Sequence, residues 1–167
     1  VAIIGCGGIA NGKHMPSLSK LQNVEMVAFC DIVEDRAVRA AKEYGIDDAK
    51  AYKDYKELIK DETIEVVHVC TPNKSHADIT VEALESGKHV MCEKPMAKTA
   101  EDARRMLEAA KRTGKKLTIG YQNRHREDSQ YLYNECKEDT LGEIYYAKAH
   151  AIRRRGVPTW GVFLNEE

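Results

Sequence analysis

Gly5-Cys6-Gly7-Gly8-Ile9-Ala10 is a GxGxxA loop that directly follows an apolar, strand-like run and opens a helical pattern. In that position Gly5 permits a tight turn, and Gly7 lets the backbone approach a pyrophosphate with no Cβ between them. Ala10 is small enough for the helix to pack closely on the strand. Gly8 and Ile9 complete the loop at the helix start, where free N–H groups and the positive end of the helix dipole favour an anion. Asp31 ends the next apolar run, about twenty residues beyond Ala10, where a dinucleotide site needs a carboxylate to accept from the adenosine ribose hydroxyls. A 2'-phosphate there would meet a like charge, and neither Ile32 nor Val33 supplies an Arg or Ser to offset it, so NAD is expected over NADP. Loop and acid alone also fit a methyltransferase nucleotide site.

Two further segments stand where chemistry is expected. Cys70-Thr71-Pro72-Asn73 follows the Val66–Cys70 run, and Cys92-Glu93-Lys94-Pro95 follows the His89–Cys92 run. Ligands of open α/β sheets bind outside the carboxyl ends of the strands, so both segments belong at one cleft. The Lys94-Pro95 bond is a candidate cis peptide, a geometry nearly confined to X-Pro bonds.

The elements that would position these residues alternate. Val1–Ile4, Val24–Cys30, Val66–Cys70, His89–Cys92 and Leu117–Gly120 are short apolar runs suited to buried parallel strands. Between them Asp35–Tyr44, His76–Ser86 and Thr99–Thr113 repeat small and apolar residues at helical spacing. Tyr44-Gly45, Ser86-Gly87 and Thr113-Gly114 read as helix ends, and Thr99 with Asp102 as a capping box. Pro16 falls inside the first helix and predicts a break there. The expected fold class is therefore α/β, a doubly wound parallel sheet of the Rossmann kind over residues 1–120. After Gly120 the rhythm changes. Glu127–Lys137 reads as a helix, Ile144–Ile152 as a strand, and Arg153–Glu167 as an irregular loop around Trp160, so residues 121–167 are expected to be the incomplete start of an α+β substrate and oligomerisation domain.

The GCGGIA loop, the CTPN segment, the Ala83–Val90 run (ALESGKHV) and above all Glu93-Lys94-Pro95 resemble the glucose-fructose oxidoreductase / inositol dehydrogenase (Gfo/Idh/MocA) family over nearly the whole chain. The resemblance implies oxidation of a secondary alcohol on a sugar, cyclitol or related polyol, with hydride passing to a nicotinamide. It implies that Lys94 hydrogen-bonds the reacting oxygen, where an ammonium stabilises the negative charge left as the hydroxyl proton departs. Thr71, Pro72 and Asn73 would line the dinucleotide, and Glu93 and Gln122 would contact the nicotinamide side or its ribose. His76 is implied as a cofactor contact or a packing residue, and Trp160 as part of a loop folding back to the cofactor or as an aromatic anchor. The family's catalytic aspartate and histidine lie on a helix further along than this chain reaches, and Asp139 and His150 do not sit in that motif. The chain alone is thus expected to bind NAD with little or no turnover. The alternative is a non-catalytic NAD-binding module or sensor.

Composition narrows the partners. Lys+Arg 26 against Asp+Glu 27 gives a net charge of -1, with no basic block beyond the short Arg153-Arg154-Arg155 run. Nucleic acid is not an expected partner, because phosphate recognition needs clustered cations. No apolar stretch approaches the roughly 20 residues that cross a bilayer, so no membrane span is expected. The five cysteines are an odd, widely spaced set without a CxxC pair, so neither a disulfide framework nor a metal site is expected and the cytoplasm is the expected compartment. Cys6, Cys30, Cys70 and Cys92 all fall at strand ends. Packing explains them, and convergence into an oxidant-sensitive cleft is the sharper alternative. Val1 opens directly on a strand, so the chain reads as part of a longer protein, one that forms homo-oligomers through the remainder of its second domain.

Overall fold

A computed structural model describes residues 1–152 and residue 154. The chain divides into two compact units, Val1–Gly120 and Tyr121–Glu167. The first holds six strands: β1 (Ala2–Ile4), β2 (Ala28–Cys30), β3 (Lys50–Tyr52), β4 (Val66–Val69), β5 (His89–Cys92) and β6 (Leu117–Ile119). They form one fully parallel sheet in the order β3-β2-β1-β4-β5-β6. The chain crosses over between β3 and β4, so the crevice of a doubly wound sheet opens between the carboxyl ends of β1 and β4.

Alternation along each strand builds two cores. Ala2, Ile4, Val67, Val69, Val90 and Cys92 pack beneath α3 (Tyr55–Leu58), α4 (His76–Glu85) and α5 (Ala100–Thr113), against Leu58, Leu84 and Met106. Ile3 and Phe29 pack on the opposite side with Ala10, Met15, Ala37 and Ala40. Those partners come from the first helical segment and from α2 (Glu34–Tyr44). The first segment is a wide π-type turn, Ala10–His14, that tightens into α1 (Met15–Leu18) with Pro16 in its opening turn. The break expected at Pro16 is therefore a change of helix type, with the proline in the opening turn of α1, where its fixed φ fits.

The expected cap of α5 forms, although the Asp102 carboxylate accepts from the Thr99 hydroxyl and not from the Thr99 amide as a full capping box would have it. Thr99 Oγ1 accepts from the Asp102 amide at 3.1 Å, and Gly114 closes α5 in the left-handed region at φ 66°. Strand β3 is absent from the apolar runs because it is an edge strand with two exposed residues in Lys50-Ala51-Tyr52, which need no continuous hydrophobic run.

The second unit begins with a short 3-10 turn, Gln122–His125, and α6 (Glu127–Lys137), of which no residue is buried. The strand expected over 144–152 does not form. A strand exists through its partner's hydrogen bonds, and among the described residues none pairs with this segment. No helix among the described residues is long and apolar enough to cross a membrane.

Candidate functional site

The ladder runs one residue past each central strand and aligns the site. Gly5 N–H donates to the Cys30 carbonyl, Cys70 N–H to Ile4, Glu93 N–H to Val69 and Gly120 N–H to Cys92, at 2.7–2.9 Å. The glycine loop, the Cys70–Asn73 segment and the Glu93–Pro95 turn thus share one edge of the sheet.

Gly5 has φ 92°, and a Cβ built on it would lie 2.8 Å from the carbonyl carbon and oxygen of Cys70 and 2.9 Å from the Thr71 nitrogen. Only glycine lets β1 turn away while the end of β4 stays in register. Gly7 and Gly8 face open space, with no protein atom within 4 Å of a Cβ at either, and Ile9 is exposed. Among the described residues the Gly7 amide has no acceptor. The loop therefore leaves open space and a free backbone N–H at this sheet edge, features that suit an anion. Ala10 is fully buried against β1, as its small size predicted. Asn11 has a part that sequence reasoning missed. Its Nδ2 donates to the Cys6 and Gly7 carbonyls at 2.7 and 2.9 Å and holds the loop's shape.

Asp31 is 7% exposed and bridges two segments. Oδ2 accepts from the Cys6 amide and Oδ1 from the Val33 amide, each at 2.9 Å. A carboxylate offers about four lone-pair sites, so acceptor capacity is left for ribose hydroxyls. Ile32 and Val33 bring no cation to Asp31, but α2 does. Arg36 Nη1 lies 3.9 Å from Asp31 Oδ1. Arg36 and Arg39 line a cleft of about 390 Å³ together with Cys6, Gly7, Gly8, Asn11 and Glu43. Ile32 and Val33 lack the charge, but the 36 and 39 positions of α2, one turn apart, bring it back to the cleft.

On the far side of the crevice, Thr71 is half-buried and its Oγ1 accepts from Ser75 Oγ at 2.9 Å, while Pro72 and Asn73 are exposed. His76 departs from a cofactor-contacting role. It is fully buried, with Nδ1 2.8 Å from the Pro95 carbonyl and Nε2 2.9 Å from the Thr71 carbonyl. Both neighbours are carbonyl acceptors, so a neutral ring donates to one of them, and the side chain packs between the Thr71 loop and the Pro95 turn instead of facing a ligand.

The Lys94–Pro95 bond is cis, as the X-Pro sequence suggested. Lys94 is exposed, and among the described residues its ammonium has no hydrogen-bond or ion-pair partner. Glu93 turns inward: Oε1 is 2.8 Å from His14 Nε2, and Oε2 accepts from the Lys94 amide at 3.1 Å. His14 and its neighbour His68 escaped sequence reading, because a helix residue and a mid-strand residue meet only through the β1-β4 pairing. Gln122 belongs to the second unit, in its Gln122–His125 turn. Trp160 lies outside the described residues.

The four strand-end cysteines lie near one another, with Cys6 lining the cleft and its Sγ 3.6 Å from the Cys30 carbonyl, but they pack into different cores. Cys6 and Cys70 sit in one core, Cys30 and Cys92 in the other, and all four are buried. Burial pushes the thiols of Cys6 and Cys30 up to about 12 and that of Cys92 to about 11, and raises Cys70 as well. These are packing cysteines, protonated and inert at neutral pH. Cys136 alone is exposed.

A family model described as an oxidoreductase family with an NAD-binding Rossmann fold matches residues 1–121. Among curated relatives, D-glucoside 3-dehydrogenase of Escherichia coli is 42% identical over the whole chain, which spans 47% of that enzyme. Inositol 2-dehydrogenase of Salmonella typhimurium is 39% identical over 95% of the chain and 47% of its own length. The chain thus spans about half the length of the curated relatives it matches. Among solved structures, the WlbA dehydrogenase of Chromobacterium violaceum, in complex with NADH and UDP-GlcNAcA, superposes with a TM-score of 0.80 at 33% identity, over 86% of this chain and 41% of that one. KijD10, a 3-ketoreductase of Actinomadura kijaniata solved with NADP, superposes with a TM-score of 0.75 at 27% identity, over 85% of this chain and 44% of its own. With a match over 121 residues that takes in the glycine loop, Asp31 and the Glu-Lys-Pro turn, the chain belongs to the GFO_IDH_MocA family of NAD-binding Rossmann-fold oxidoreductases.

Proposed function

We propose that the chain is the dinucleotide-binding part of a dehydrogenase that oxidises a secondary alcohol of a sugar, cyclitol or related polyol. The bound nicotinamide would supply the hydride acceptor. The diphosphate would rest on the Gly5–Ala10 loop, with the adenosine ribose at Asp31 and the nicotinamide half between Thr71-Pro72-Asn73 and Glu93. Lys94 would hydrogen-bond the reacting oxygen and stabilise its developing charge. The second unit would open the substrate domain, whose remainder would supply the contact between copies of a cytoplasmic homo-oligomer, and Gln122 would contact the nicotinamide side or its ribose.

The observation that carries this reading is the Lys94 ammonium, without a partner among the described residues, on the same sheet edge as an open glycine loop. The base that removes the hydroxyl proton would come from chain beyond residue 167, so this segment alone would bind dinucleotide with little or no turnover. The test is a panel of inositols, hexoses and amino sugars with the full-length enzyme and NAD, followed by NADH absorbance. Turnover of at least one secondary alcohol is expected. Tight NAD binding without turnover of any panel member would favour a binding module instead.

A further inference from the structure

Behind the Glu-Lys-Pro turn lies a row of three polar side chains, Glu93, His14 and His68, of which the dehydrogenase reading leaves the two histidines without a part. His14 Nε2 is 2.8 Å from Glu93 Oε1, and His14 Nδ1 is 3.0 Å from His68 Nδ1. The two rings meet edge-on, with centroids 5.3 Å apart and planes at 88°. Three separate elements contribute: the π-type turn, the middle of β4 and the end of β5. The side chains of His14 and Glu93 are only 7% and 13% exposed, so water does not compete freely for these bonds.

Counting donors gives the row a direction. A carboxylate only accepts, so His14 Nε2 carries the proton that faces Glu93. Burial, and next the neighbouring His14 ring, push His68 down to about 4, so at pH 7 it is neutral and holds one ring proton. Two arrangements then satisfy the contact between the two Nδ1 atoms. In one, His14 is an imidazolium that donates at both ends. In the other, His14 is neutral and His68 donates through Nδ1–H. The first takes two ions out of water and the second only one, and the Lys94 amide on Oε2 with His14 Nε2–H on Oε1 keeps that single carboxylate compensated, which favours the second.

We propose that His68 donates to His14 and His14 to Glu93, so that His14 is a positioning residue for the Glu93-Lys94-Pro95 turn. The proposal rests on the reading of Lys94 as the group at the reacting oxygen. With Oε1 held by His14 and Oε2 by the Lys94 amide, the Glu93 carboxylate is anchored inside the fold. It cannot then swing out to neutralise the adjacent ammonium, and the Lys94 charge is left for the substrate.

Ring-resolved 15N–1H spectra of the protein at neutral pH test the direction. His14 as the Nε2–H tautomer with His68 as the Nδ1–H tautomer is the expected result, and His68 as Nε2–H overturns the proposal. Kinetics of the full-length enzyme test the role. His14→Gln keeps a donor near the place of Nε2 and should hold kcat within about twofold, whereas His14→Leu should lower it about tenfold with KM for NAD little changed. Equal kcat for the two variants overturns the proposal. Should His14→Leu fail to fold, His68→Asn and His68→Leu make the same comparison at a half-buried position, with the same ordering expected. Lys94→Ala is measured beside them: full activity in that variant refutes the Lys94 reading, while the tautomer spectra decide the row on their own.

Discussion

Replacing Gly5 and Gly7 separately by alanine should split stability from ligand binding within one loop. At Gly5 a Cβ meets three backbone atoms of Cys70 and Thr71 at 2.8–2.9 Å, and φ is 92°. No flexible side chain can move aside, so either the loop or the end of β4 must shift. The positive φ costs an L-residue about 1–2 kcal/mol, and the forced displacement adds roughly 1–3 kcal/mol. A loss of about 2–5 kcal/mol corresponds to a drop of about 4–20 °C in melting temperature for a chain of this size. At Gly7 nothing lies within 4 Å of the new Cβ, so Gly7→Ala should melt within about 2 °C of the parent. Its NAD affinity should nevertheless fall about tenfold or more, because the methyl stands where the diphosphate has to approach. Circular dichroism melts give the first quantity and calorimetric titration with NAD the second. A Gly5→Ala protein that melts with the parent refutes the steric argument, and a Gly7→Ala protein with parental affinity refutes the placement of the diphosphate.

In the full-length enzyme, Lys94→Ala should lower kcat by about a hundredfold or more while NAD affinity stays within about twofold, since the ammonium is assigned to the substrate oxygen. A lost NAD affinity with normal turnover at saturation contradicts that assignment. Arg36→Ala with Arg39→Ala should weaken NADP by about tenfold and NAD by much less, as only the 2'-phosphate needs the guanidinium charge in the cleft beside Asp31; parallel titrations decide. Alkylation of the native protein should label Cys136 rapidly and leave Cys6, Cys30, Cys70 and Cys92 unmodified at equal rates with and without NAD. Protection of any of the four by NAD would revive the oxidant-sensitive cleft. His68 titrates near 4 in the fold against 6.5 in the free side chain. The unfolded chain therefore takes up a proton below 6.5 that the folded chain refuses, so stability is complete above pH 6.5 and falls as pH drops toward 4. At about 1.4 kcal/mol per pH unit the loss approaches about 3 kcal/mol. Denaturant titrations at pH 7 and 4.5 should show that part of the slope vanish in His68→Phe, and equal slopes in the two proteins would refute it.

The parts of this fold legible in the sequence are those that local chemistry dictates. Buried parallel strands are mostly apolar, so β1, β2, β4 and β5 announce themselves, while β6, an edge strand like β3, is read from Leu117 and Ile119 on either side of the exposed Thr118. A glycine with φ 92°, a threonine cap and a left-handed Gly114 are recognisable because each residue type is chosen for a backbone requirement at that position. Strand β3 escapes because an edge strand has one neighbour and two exposed residues, and its hydrogen bonds to β2 come from topology rather than composition. The residues 144–152 mislead for the converse reason: their alternation is that of a strand, but pairing supplies the energy, and among the described residues they have no pair.

The same division runs through the site. The loop, Asp31 and the Glu-Lys-Pro turn lie on segments whose motif and strand-end position can be read in order along the chain. What sequence order conceals is the support underneath them: Asn11 on the loop carbonyls, His76 between two backbone oxygens, His14 and His68 behind Glu93, and Arg36 beside Asp31. Of these, Asn11 and Arg36 sit four and five residues from the groups they reach, and helix spacing alone could have found them. His14 stands 79 positions from Glu93, and that contact exists only because β4 and β5 are laid beside β1. A motif therefore locates the groups that meet a ligand, while the crossover of the sheet decides which buried side chains hold those groups in place. Substitutions at His14 or His76 should accordingly disturb the Glu-Lys-Pro turn without touching any residue the motif names.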